Sequence, residues 1–206
     1  MISHTGRLHQ LLFPSLVWKI PSQHIFLTFD DGPHSQATPA VLDVLSRYQV
    51  PATFFLSGMN VARNRSLVKE ISGQHHAIGI HGFNHTRISA LSFENSKKEI
   101  ERTEKEIGGV VPMQSRLFRP PFGFFSWNTI RAARELNYQL VMWTVLTGDF
   151  RPWANQKIIE NTMKNLSPGS ILVFHDNELT KDKISPLLTE CIERIRDRGF
   201  SFGVLS

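Results

Sequence analysis

The stretch from His24 to Pro33 reads HIFLTFDDGP. A run of β-branched, aliphatic and aromatic residues stops at two adjacent carboxylates followed by Gly-Pro. The run predicts a buried strand over His24–Phe29. Asp-Gly and Gly-Pro are turn signals, which accounts for Gly32 and Pro33. A turn alone does not account for Asp30 beside Asp31 directly after an apolar strand, because two such carboxylates repel. A cation beside them removes the repulsion and stabilises both in the ionised form.

Outward from this stretch, short apolar runs alternate with amphipathic ones. Further strands are predicted at Ala52–Ser57, Ala77–Ile80, Arg116–Phe118, Leu140–Val145, Ser170–Phe174 and Phe200–Val204. Apolar residues at helical spacing run from Thr38 to Tyr48. Ser92 reads as the cap of a helix reaching Ile107, and Ser126 as the cap of one through Leu136. Ile158, Ile159, Thr162, Met163 and Leu166 form another stripe, and a last helix, Ser185 to Arg198, stops at Gly199. Strands alternating with helices imply parallel pairing through right-handed crossovers. The pattern predicts an α/β fold, a closed or nearly closed barrel in a single domain. An open doubly wound sheet is the alternative, disfavoured because no G-x-G-x-x-G follows the first strand.

The titratable residues fall at one end of those strands. The first ends in Asp30 and Asp31, the third in His81, the fourth in Arg119. The fifth is followed by Asp149, and the sixth ends in His175 and Asp176. In α/β barrels the carboxyl ends of the strands converge on one face, where active sites form. His81 and His85, four residues apart, can face one metal, and Gly82 between them argues for a loop rather than a helix. His75 and His76 precede the strand and read as surface residues. With Asp31 the pair makes three protein ligands, which leaves an open position, as in catalytic zinc-type sites. A metal there lowers the pKa of water from about 15.7 towards 7. Arg119 at a strand end beside carboxylates can hold one ionised. A histidine beside a carboxylate, as His175 would be, can serve as a general acid near neutral pH.

TFDDGP at Thr28–Pro33, HGFNH at His81–His85, RPPFG at Arg119–Gly123, the acid at Asp149 and VFH at Val173–His175 resemble the five ordered motifs of the polysaccharide deacetylases. These are the NodB-like proteins of carbohydrate esterase family four. The resemblance covers roughly residues 24–204 and implies a distorted (β/α)7 barrel. It implies that Asp31, His81 and His85 hold a divalent metal, zinc in the first place, with cobalt, manganese or nickel as alternatives. Asp30 then matches the general base, Arg119 its partner, His175 the general acid and Asp149 the residue that orients that histidine. The backbone N–H of Phe122 matches an oxyanion donor. Phe150 and Val173 match the residues near the acetyl methyl.

The implied activity is removal of N-acetyl groups from glycans of the peptidoglycan or chitooligosaccharide type, with the glycan as partner. Some positions depart from the family pattern. Gly82 stands where Ser or Thr would brace the histidine loop, Thr86 where Pro is common, and Leu146 where many members carry an Asp. Phe150 replaces Trp and Val173 replaces Leu, which bears on the acyl group and the substrate. The same site could instead serve an acetyl-ester (xylan-type) deacetylase or a sugar deformylase. An inactive glycan-binding module is the alternative of another class. Phe124, Phe125, Trp127 and Trp153 could stack sugars, but read first as core or loop packing.

The 206 residues are 41% hydrophobic and 20% charged, a composition that buries a globular core without staples. The lone Cys191, on a helical apolar stripe, excludes an internal disulfide and reads as a small buried hydrophobe. A net charge of +5 with scattered basic residues reads as a mildly basic surface. Attraction to an acidic polymer or a membrane is the other reading. No nucleic-acid-binding pattern is present, so nucleic acid is not expected, and no stable protein partner is implied. Residues 1–23 read as an N-terminal extension packed on the domain of residues 24–206. They lack the apolar core of a signal peptide, and no stretch reaches the roughly 18 apolar residues of a membrane span. Cytoplasmic location is the default expectation, and membrane-surface contact by Leu11–Trp18 the minor alternative.

Overall fold

The apolar run before the paired aspartates forms β1 (Ile25–Asp30), buried along its whole length. The computed structural model describes residues 11–206, so the first ten residues of the expected extension lie outside the described chain. β1 is flanked in parallel by β2 (Thr53–Leu56) and β7 (Ile171–His175). β3 (Ala77–Ile80), β4 (Leu117–Phe118) and β5 (Gln139–Leu140) continue the sheet on one side, and β6 (Val145–Leu146) follows β7 on the other. The order is β5-β4-β3-β2-β1-β7-β6, all parallel, with the short β8 (Phe202–Gly203) pairing the start of β1. Parallel strands covered on both faces read as continuous apolar runs, which is why β1, β2 and β7 stand out in the sequence. The result is the distorted (β/α)7 barrel the motifs imply, a rolled sheet with helices outside.

The helices are α1 (Ala37–Tyr48), α2 (Gly58–Arg63), α3 (Arg65–Gly73), α4 (Phe93–Gly108), α5 (Trp127–Glu135), α6 (Asn155–Lys164) and α7 (Ile184–Asp197). Ser92 caps α4 by accepting the Asn95 N–H, and Ser126 caps α5 in a reciprocal box with Thr129. α1 packs on α7, α4 on α5, and α6 on α7. Cys191 is fully buried on α7, and burial pushes its thiol up to about 12. Among the described residues, no helix is long and apolar enough to cross a membrane.

Five expectations are corrected. Leu140–Val145 is not one strand: it splits into β5 and β6, because the carbonyls of Val141 and Met142 turn to accept the Arg119 guanidinium. α2 and α3 were not anticipated, since each is short and Asn64 separates them. His76 is buried rather than on the surface. Its Nδ1 accepts the Ala52 N–H, and burial lowers the ring to about 4, so it stays neutral. Trp127, expected to be packed, is 77% exposed, with its ring 6.2 Å from that of Phe13. Leu16 and Trp18 are buried, and Val17 bridges Val141, but Leu11 and Leu12 of the same run are exposed.

Candidate active site

The register of the sheet sets the first contacts. Asp30 lies opposite Phe55 on β2 and His175 on β7, so the ends of adjacent strands present their polar residues together. Asp31 follows with φ 79°, His85 has φ 51° and Phe122 has φ 59°. Such left-handed backbone costs a non-glycine residue on the order of 1–3 kcal/mol and persists where surrounding structure imposes it. Here the three residues share one cleft.

Asp31 Oδ1 lies 2.9 Å from His85 Nε2 and 3.5 Å from His81 Nε2. It is buried and takes no hydrogen bond. His81 Nδ1 is 2.7 Å from the Arg119 carbonyl. A carbonyl only accepts, so Nδ1 carries the proton and Nε2 keeps its lone pair. One carboxylate oxygen and two imidazole nitrogens thus meet within 4.8 Å of one another, a donor set that could hold a metal ion. Burial by itself would raise the Asp31 carboxyl, but His81 and His85 hold it well below the usual carboxylate range.

Behind this cluster the charges are locked. Asp30 Oδ1 accepts from Arg119 Nη1 at 2.7 Å. The same nitrogen reaches Thr28 Oγ1 at 2.6 Å, while Nε and Nη2 donate to Val141 and Met142 carbonyls at 3.2 and 3.0 Å. Arg119 is fully buried, with its guanidinium 4.1 Å from the centre of the Phe55 ring. Burial depresses its pKa and the Asp30 carboxylate opposes that. Across the cleft, His175 Nδ1 donates to Asp149 Oδ1 at 2.8 Å. Asp149 also accepts the backbone N–H groups of His175 and Phe150, at 2.6 and 3.0 Å. Burial pulls the His175 ring down, but Asp149, helped by Asp31 and Asp30, raises it to about 9.

The cleft has two walls. Asp30, Asp31, His81, His85 and His175 form the polar wall. Phe122, Trp143, Leu146, Phe150, Val173 and Leu179 form the apolar one. Phe150 meets His175 edge-on at 5.1 Å between ring centres, and Phe122 packs on His85 at 4.6 Å. The structure therefore brings Asp30, Asp31, His81, His85, Phe122, Phe150, Val173 and His175 to one cavity. Arg119 and Asp149 stand behind the cavity rather than in its lining.

Sequence reasoning missed the residues that brace the ligand loops. Glu99 on α4 accepts the N–H groups of Phe83 and Asn84 at 2.9 and 3.1 Å, and Asn84 Nδ2 at 2.9 Å. It holds the histidine loop where Gly82, at φ +75°, offers no side chain. Its signal was a carboxylate on the buried face of an amphipathic helix, between Ser96 and Thr103. Asn177 Nδ2 donates to Asp31 Oδ2 at 2.6 Å, leaving Oδ1 free for an ion. Asn60 Nδ2 holds the Asp31 carbonyl at 2.8 Å. Asp176, noted only as the residue after His175, accepts the Gly32 N–H and the Thr38 hydroxyl, at 3.2 and 2.5 Å. Burial raises its carboxyl to about 8. Gly32 must be glycine, since a Cβ there would lie 2.1 Å from Asp176 Oδ2.

Residues 19–141 match the sequence model of the polysaccharide deacetylase family. The chain belongs to that family. It is 34% identical to a peptidoglycan-N-acetylglucosamine deacetylase of Bacillus cereus, over 93% of this chain and 91% of the relative. A solved structure of a peptidoglycan N-acetylglucosamine deacetylase, bound to an N-hydroxybenzamide, superposes with a TM-score of 0.89 at 29% identity. The match covers 93% of this chain and 91% of that one. A pseudoenzyme of the same carbohydrate esterase family, from Bacillus anthracis, superposes with a TM-score of 0.82 at 25% identity, over 90% of this chain and 64% of that one. Family membership is therefore compatible with active and inactive proteins.

Proposed function

We propose that the protein is a metal-dependent hydrolase that removes N-acetyl groups from N-acetylated glycans of the peptidoglycan or chitooligosaccharide type. The observation that carries this reading is the pairing of Asp30–Arg119 with His175–Asp149 on two sides of one metal-competent Asp-His-His cluster. A binding module or a pseudoenzyme has no need of that complete set.

An amide carbonyl is a weak electrophile and an amine a poor leaving group, so both need help. Asp31, His81 and His85 would hold the ion, which supplies Lewis acidity and a more acidic water when bound. Asp30 would act as the base toward the attacking water, and Arg119 fixes the position of its carboxylate. The Phe122 backbone N–H serves the oxyanion, an interaction worth about 3–4 kcal/mol in related chemistry. His175 delivers a proton to the leaving nitrogen through Nε2, because Nδ1 is committed to Asp149. Phe150 and Val173 pack against the acetyl methyl, and Leu146 closes that wall. Zinc suits two imidazoles and one carboxylate, as do cobalt, nickel and manganese.

The test is an acetate-release screen on acetylated glycans with the zinc-loaded protein, alongside Asp30→Asn. The wild type should release acetate from N-acetylated glycans, with no formate from formylated sugars. Asp30→Asn should bind the metal and lose most turnover. Metal-replete protein inert on the whole panel refutes the reading, and full activity in Asp30→Asn refutes the base assignment.

A further inference from the structure

The cavity at the cluster is about 140 Å³, well below the roughly 300–1,000 Å³ of sites that enclose a whole small ligand. It is large enough for an acetamido group, which would leave the sugar rings on its rim. One side of the rim is the segment from Pro120 to Trp127. It is stiffened by Pro120 and Pro121 and anchored by the Ser126–Thr129 capping box. Phe125 turns inward, onto Phe13 at 5.0 Å and Trp18 at 6.4 Å. Phe122, Phe124 and Trp127 are 41%, 42% and 77% exposed; Phe122 also lines the cavity, and the Trp127 ring lies 6.2 Å from that of Phe13.

The histidine loop runs beside this segment and forms two rungs with it. His85 packs on Phe122 at 4.6 Å inside the cavity. Two residues further along each strand of chain, the Arg87 guanidinium lies 4.2 Å from the centre of the Phe124 ring, outside the cavity. Arg87 is exposed, and among the described residues it has no acidic partner. A guanidinium this close to a ring centre is attracted by the ring's negative face, and its N–H groups can still meet a planar carboxylate.

We propose that Arg87 on Phe124, with Trp127 as the neighbouring stacking face, forms a subsite for a carboxylate-bearing sugar next to the one being deacetylated. The preferred substrate is then an anionic N-acetylated glycan, such as a peptidoglycan strand whose ether-linked lactyl carboxylates carry no stem peptide, rather than a neutral chitooligosaccharide. This rests on the deacetylase reading and names its substrate class. Phe124 supplies apolar area to the adjacent ring, and Arg87 supplies the charge that discriminates. A Lys at position 87 would keep the charge but lose the planar fork.

The experiment compares two tetrasaccharides of equal length, one of N-acetylglucosamine only and one containing muramic acid with its carboxylate free. Zinc-loaded wild type should favour the muramic-containing one in kcat/KM. Arg87→Ala should cut that preference about tenfold, equivalent to about 1.4 kcal/mol, through KM rather than kcat. Arg87→Lys should restore part of it, and added salt should erode the wild-type preference only. A preference unchanged in Arg87→Ala, or a wild type that favours the neutral glycan, overturns the proposal. If neither glycan is hydrolysed, the deacetylase reading fails on its own. Titrating the same two glycans into the zinc-loaded proteins then still decides the subsite. Tighter binding of the anionic one, lost in Arg87→Ala, supports it, and equal binding refutes it.

Discussion

Replacing Glu99 by alanine takes the acceptor away from three donors that shape the histidine loop, two backbone N–H groups and the Asn84 amide. Each is a hydrogen bond to a carboxylate, worth about 1.5–3 kcal/mol, and each donor left dry costs about 1–3 kcal/mol. The loop can relax and admit water, so the three do not add, and the expected loss of stability is about 2–4 kcal/mol. The same loop fixes His81 and His85, and losing such support weakens metal binding by about 10–100-fold. Urea unfolding of the metal-free protein reads the first quantity, and a competitive zinc titration the second. Glu99→Gln is the control. Its oxygen can keep the Phe83 and Asn84 N–H groups, and the Asn84 amide can flip to offer its carbonyl to the new NH2. The glutamine variant should therefore recover most of both losses. Alanine at 99 with wild-type zinc affinity and an unchanged urea midpoint would refute the reasoning.

Other consequences follow from the same geometry. Asp149→Asn removes the main influence that raises His175, so burial dominates and the ring's pKa falls from about 9. A general acid works only while protonated. The alkaline limb of the kcat profile should thus move to lower pH, and an unmoved limb would remove Asp149 from its tuning role. Asn177→Ala frees Asp31 Oδ2 from its 2.6 Å hydrogen bond. Zinc affinity should drop about tenfold, with little change in the urea midpoint because Asn177 is only partly buried. Equal zinc affinity in that variant would show that Asp31 needs no such brace.

Much of the site was readable because parallel strands advertise themselves. β1, β2 and β7 are buried on both faces, so their apolar runs are unbroken and the first polar residue after each marks the working end. Asp30, Asp31 and His175 were found that way, and His81 and Arg119 likewise after β3 and β4. The braces were not, because Glu99 is 15–16 residues from the loop it holds and Asn177 is 146 from Asp31. Sequence periodicity carries no information about such contacts, although a glutamate on the buried stripe of α4 was a visible anomaly. The split of Leu140–Val145 has the same origin: only the fold brings Arg119 to the Val141 and Met142 carbonyls. His76 was misread because an imidazole kept neutral by burial behaves as a core residue, here with the Ala52 N–H on Nδ1. Trp127 was misread because size suggested packing, whereas its place at the first turn of α5 leaves it facing water.

If Asp31, His81 and His85 hold the ion that deacetylation needs, acetate release depends on that ion. The direct measurement is acetate release from an N-acetylated glycan by protein stripped with a chelator, then titrated with zinc. No release from the stripped protein, and recovery that saturates near one zinc per chain, is the expected result. Undiminished release after stripping, or a protein that binds one zinc and releases no acetate from any acetylated glycan, would contradict it.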